Sequence, residues 1–139
     1  MQPGRPRTVA WVIGMWLGAH VVLIAGHVLL VFLYSAFIEP GLSNAEYQAF
    51  ARASGPWFSI VFGFPAFYAV GRILSGRMGP SARVAGLAVW CLYSATDLAI
   101  VLAYEESITA LLAVQWCVSQ GVKVAGVLWA TRAFPRGDG

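Results

Sequence analysis

Asp97 and Lys123 are the two residues of this chain whose chemistry is most at odds with their surroundings. Each interrupts a long apolar run. A charge near the centre of a bilayer costs at least ~2.5–3.5 kcal/mol on insertion scales. Two opposite charges in neighbouring runs therefore mark a polar, ionisable interior. The same two runs carry Tyr93, Gln115 and Ser119, and an earlier run carries His20, His27 and Tyr34. Together these are the candidate residues for binding a small solute or a proton.

His20, His27 and Tyr34 recur every seven residues, so they share one helix face. Polar side chains in a span face protein or a water-filled cavity rather than lipid. Three kinds of chemistry fit such a stripe: hydrogen-bonded packing, a proton relay, or haem ligation. Haem needs ligands on both sides of the iron, and both histidines of the chain lie on one helix. A bis-histidine haem would require a dimer, and no cofactor is assigned. Cys91 and Cys117 form no CxxC and share no ligand spacing with a histidine, so no metal site is expected. They are expected as small buried side chains. There is no GxSxG, no HExxH and no phosphate loop. His27 with Asp97 as a general-base pair acting on a lipid remains as an enzymatic alternative.

The elements that must hold these residues follow from composition. The chain has 139 residues, 59% hydrophobic and only 11% charged. Soluble domains carry ~25% charged residues. The long apolar runs predict an all-α membrane protein, a four-transmembrane-helix bundle with spans at about 8–38, 56–74, 82–104 and 107–130. The net charge of +3 is sorted by loop and is no sign of nucleic-acid binding. Met1–Arg7 resembles the basic start of a secretion signal, but the apolar run behind it far exceeds the ~7–15 residues of such signals. An uncleaved first span is expected.

Span one carries a Gly14/Gly18 pair, which lets two helix backbones approach closely, within the chain or in a homo-oligomer. Pro40 and Gly41 end it. Ser43 and Glu46 then have capping-box spacing. They predict a short interfacial helix over 44–53 between spans one and two, with Tyr47 and Phe50 dipping into the bilayer. Pro56 suits the first turn of span two. Pro65 lies within that span and leaves the Val61 carbonyl without its helical donor. Gly76, Gly79 and Pro80 make a tight turn before span three.

Arg5, Arg7, Arg72, Arg77, Arg83, Arg132 and Arg136 fall on the side of the termini, against Arg52 alone on the other side with Glu39, Glu46, Glu105 and Glu106. This asymmetry predicts that both termini are cytoplasmic, in the inner membrane of a bacterial cell. Counted from the outer loops, Tyr34, Asp97, Gln115 and His27 lie ~8, ~12, ~14 and ~18 Å deep, in one outer slab. Lys123 lies ~26 Å deep. Three arrangements of Lys123 are open: pairing with Asp97 directly or through water or Ser119, snorkelling to the cytoplasmic interface, or pairing with another subunit or a lipid headgroup. At the level of function, the expectation is binding or transport of a small solute or proton. An accessory subunit of a membrane complex and an intramembrane lipid-binding or lipid-modifying protein are the alternatives.

Overall fold

The computed structural model describes residues 5–104 and 108–132, with Arg5 and Pro6 described by backbone alone. Glu105, Glu106 and Arg136, which enter the loop-charge argument, lie outside the described residues. Every element among the described residues is helical. Helix α1 spans Arg5–Leu33 and widens into a π-turn over Tyr34–Ile38. Helix α2 spans Asn44–Met78, a 3-10 turn covers Gly79–Ser81, α3 spans Ala82–Tyr104, and α4 spans Ala110–Arg132. Three continuous helical stretches, Arg7–Ile38, Asn44–Tyr104 and Ala110–Arg132, are long and apolar enough to cross a membrane. The 3-10 turn divides the middle one into α2 and α3.

The separate interfacial helix expected over 44–53 does not exist. Those residues are the first turns of α2, which runs unbroken for 35 residues through Pro56 and Pro65. A proline inside a helix costs ~3 kcal/mol or more, so other contacts must hold the segment in line. They come from α1. Tyr34 stacks on Phe50 with ring centroids 3.7 Å apart and planes within 6°. His27 Nε2 lies 3.0 Å from Ser54 Oγ, and its ring rests against Phe58. These contacts tie the start of α2 back along α1 and stop it lying flat.

The capping box forms as the spacing predicts. The Ser43 N–H donates to Glu46 Oε2 at 2.7 Å, and Glu46 N–H donates to Ser43 Oγ at 3.4 Å. The Ser43 hydroxyl also donates to Glu46 Oε2 at 2.8 Å, and the two bonds to that oxygen, from the Ser43 N–H and hydroxyl, hold the Glu46 carboxyl below the usual carboxylate range. Tyr47 does not dip away from the chain. Its hydroxyl donates to the Glu39 carbonyl and accepts from the Leu42 N–H, which closes the loop between α1 and α2. At Gly41 that loop needs φ +92°, a conformation that glycine adopts without strain. Helix α4 opens on Thr109, whose hydroxyl accepts from the Leu112 N–H.

Helix α2 touches all three others and packs chiefly against α4, while α1 packs on both α2 and α3. The α2–α4 contact is very close. A Cβ on Gly126 would meet the Phe64 carbonyl oxygen at 2.6 Å, so only glycine fits. The core lies toward the α2–α3 turn. Phe67, Leu74, Val89, Val127 and Ala130 are wholly buried there, with Met78, Ala82 and Ala85 around them. One expectation is narrowed and one corrected. Gly14 and Gly18 meet nothing within 4 Å among the described residues, so of the two uses open to the pair, packing within the chain is not seen. Cys91 and Cys117 are exposed rather than buried. On α1, large apolar residues such as Val21, Val22, Ile24 and Phe32 also face outward.

Candidate functional site

Toward the opposite end from the core, α2, α3 and α4 enclose a cavity of about 240 Å³. Ser59 and Gly55 line it from α2, Asp97 and Val101 from α3, and Gln115, Trp116 and Ser119 from α4. Arg52, one helical turn before Pro56, sits at its mouth. A wider, shallower hollow of about 600 Å³ shares Arg52, Pro56, Leu112 and Gln115 with it and continues past Thr109. The cavity therefore communicates with the end of the bundle where α2 and α4 begin.

Lys123 lies beneath this cavity and is wholly buried. Its Nζ donates to Ser119 Oγ at 2.6 Å and to Ser59 Oγ at 2.8 Å. The two hydroxyls are 2.9 Å apart, so ammonium and serines form one closed triangle. The lysine stem passes Gly63, where a Cβ would come within 3.0 Å of its Cγ. On the α3 side the ammonium lies 4.9 Å from the centre of the Tyr93 ring, within cation–π range. Lys123 thus stays inside the bundle rather than snorkelling.

Asp97 does not pair directly with Lys123. Its Oδ2 accepts from Gln120 Nε2 at 2.8 Å, and Gln120 Oε1 accepts from Ser94 Oγ at 2.8 Å. Gln120 is three residues before Lys123, so it lies ~4.5 Å nearer the level of Asp97. It reaches the carboxylate first, and the two serines take the lysine. Trp90 Nε1 donates to the Gln120 carbonyl and fixes the backbone of the same residue.

The structure thus gathers five of the sequence candidates. Asp97, Gln115 and Ser119 line the cavity, and Lys123 and Tyr93 form its underside. His20 stands one layer further back. Its ring lies 4.2 Å from that of Tyr93, its Nδ1 meets the Trp16 carbonyl at 3.0 Å, and its Nε2 is buried without a partner among the described residues. His27 and Tyr34 are not brought to the cavity, because both are spent on holding the start of α2. Ser59, Ser94, Gln120 and Trp116 complete the site and were not among the sequence candidates. Spacing carried a signal for two of them. Ser94 lies three residues from Asp97 and Gln120 three from Lys123, so each pair shares a helix face. Ser59 and Trp116 had no such signal.

Compared with known proteins, the chain matches no family model, no curated protein and no solved structure. The functional reading rests on the site alone.

Proposed function

We propose that this chain is a four-span membrane protein that binds a small polar solute in the cavity between α2, α3 and α4. Asp97 is the ionisable wall of that site and Lys123 the charged floor. The membrane reading is supported by the long apolar helices, by the large side chains that α1 turns outward, and by the sorting of arginines to one end. In this reading both termini are cytoplasmic in an inner membrane, and the cavity opens outward.

One observation carries the functional part: a wholly buried lysine is held by two hydroxyls while the nearby carboxylate borders an open cavity. Polar groups kept only to join helices gain most when they satisfy one another. Here one carboxylate oxygen is taken by Gln120, while the carboxylate still borders open space. At about 240 Å³ the cavity is below the ~300–1,000 Å³ typical of drug-sized ligands, which suits a small solute.

A variant that fills the cavity tests the reading. Purified wild type and Val101→Trp are screened against a panel of small polar metabolites by thermal unfolding in detergent. Solutes that stabilise the wild type and leave the filled variant unchanged are the expected result. If no solute separates the two proteins while both remain folded, the cavity is not a binding site. The accessory-subunit reading then takes over, and the open Gly14/Gly18 face of α1 is the observation that favours it.

A further inference from the structure

The hydrogen-bonding groups around the cavity can be counted against one another. The triangle of Lys123, Ser59 and Ser119 uses two ammonium hydrogens and one hydroxyl hydrogen. Two serines carry two hydroxyl hydrogens, so one lies outside the triangle at the cavity floor, shared between the cavity and the Tyr93 hydroxyl beside Ser59. Trp116 lines the same cavity, and its Nε1–H is buried with no partner among the described residues. An indole N–H can only donate. Arg52 adds donors at the mouth. Against these donors stands Asp97, one of whose oxygens accepts from Gln120 while the other has no donor among the described residues.

The charges point the same way. Arg52 and Lys123 contribute two positive charges around the cavity and Asp97 one negative. A purely cationic solute would meet the carboxylate but leave the floor donors unpaired beside a buried ammonium. A purely anionic solute would satisfy the floor but abut Asp97. A molecule with an anionic group at one end and a hydrogen-bond-donating cation at the other satisfies both.

Resting on the solute-binding reading above, we infer that the cavity takes a small zwitterion of the amino-acid type. Its carboxylate lies on the Ser59 and Ser119 hydroxyls above Lys123, and its ammonium on the free oxygen of Asp97. The arrangement needs no covalent step. A cavity of about 240 Å³ accommodates a molecule on the order of ten non-hydrogen atoms, given ~30 Å³ per water in the liquid. That is the size of a single amino acid and excludes a peptide of several residues.

The test is equilibrium binding of radiolabelled probes to purified full-length protein in detergent. The probes are a mixture of labelled amino acids, labelled isovalerate as the matched acid, and labelled isobutylamine as the matched amine. Val101→Trp gives the background. The expected result is saturable binding of the amino acids, about tenfold or more tighter than either half-molecule, as loss of one charge-assisted contact implies. Asp97→Asn is expected to reduce amino-acid binding to the level of isovalerate, and Lys123→Met to reduce it to that of isobutylamine. Unfolding profiles confirm that each variant is folded. Three results overturn the inference: isovalerate binding as tightly as the amino acids, isobutylamine doing so, or no probe binding above background. The two readings fail differently. If another solute from the metabolite panel still distinguishes wild type from Val101→Trp, the solute site stands and only the zwitterion falls. If no solute does, both fall together.

Discussion

The bundle has two halves built from the same helices by different rules. Near the α2–α3 turn, Phe67, Leu74, Val89, Val127 and Ala130 leave no exposed surface, and Gly126 lets α4 touch the backbone of α2. Near the starts of α2 and α4, the same two helices together with α3 enclose a cavity lined by serine, glutamine and aspartate. The boundary falls at Lys123, whose stem lies on Gly63 and whose ammonium faces Ser59. In the closed half stability comes from contact, and each side chain is fitted to its neighbours. In the open half that fit is absent, and hydrogen bonds keep the helices apart as well as together.

Substitutions can break that contrast. Phe67→Ala should show the largest effect, a loss of about 3–5 kcal/mol in reversible unfolding in detergent, whereas Leu112→Ala, bordering the cavity, should cost well under half as much. Equal losses would mean that the two halves are packed alike. Lys123→Met tests the boundary. It removes a buried charge, and the two serines still satisfy one another at 2.9 Å. Stability is expected to be unchanged or to rise by up to about 4 kcal/mol, as when buried ionic groups are replaced by apolar ones of similar volume. A strong loss would show that the lysine is itself structural. Gly126→Ala should cost about 1–3 kcal/mol through overpacking against the Phe64 carbonyl, read from the same unfolding curves.

The smallest effect is electrostatic and lies outside both halves, at the Ser43–Glu46 cap. The carboxyl of Glu46 is held below its ordinary range in the folded chain by its bonds from Ser43. Its contribution is therefore present above the unfolded carboxylate pKa and is lost as pH falls through the folded value. The amide shift of Ser43, followed by NMR through an acid titration, should move with a midpoint below 4.5.

Much of the helical frame was legible in the sequence. Helix α3 begins where its apolar run does, and the Ser43–Glu46 cap is in place, because both signals are local. The start of α2 was misread for the opposite reason. Pro56 reads as a helix start, and what carries the helix through it is Tyr34 on Phe50 and His27 on Ser54, contacts between distant parts of the chain. The site divides in the same way. Asp97 and Lys123 stood out because charge is rare in apolar runs, and Ser119 and Tyr93 followed by helical spacing. The exchange of partners, with Gln120 on Asp97 and the serines on Lys123, depends on the relative height of two helices. Residue counts give that height to within a turn, and a turn is the distance that decides it. Ser59 was hidden because a lone serine in an aromatic helix has no periodic companion.

The unbroken length of α2 has a mechanical consequence. A helix of 35 residues is a rod ~52 Å long. One of its close contacts with α4, where Phe64 and Phe67 meet Gly126, lies ~20 Å along the rod from Arg52 and about as far from Met78. Between those two residues the rod is a lever with nearly equal arms. Tilting it about that fulcrum by a few degrees would widen the mouth at Arg52 and press the far end against α3 by a similar distance. Pro65, beside the fulcrum, has no N–H to bond the Val61 carbonyl, so one helical hydrogen bond is missing where a lever would turn.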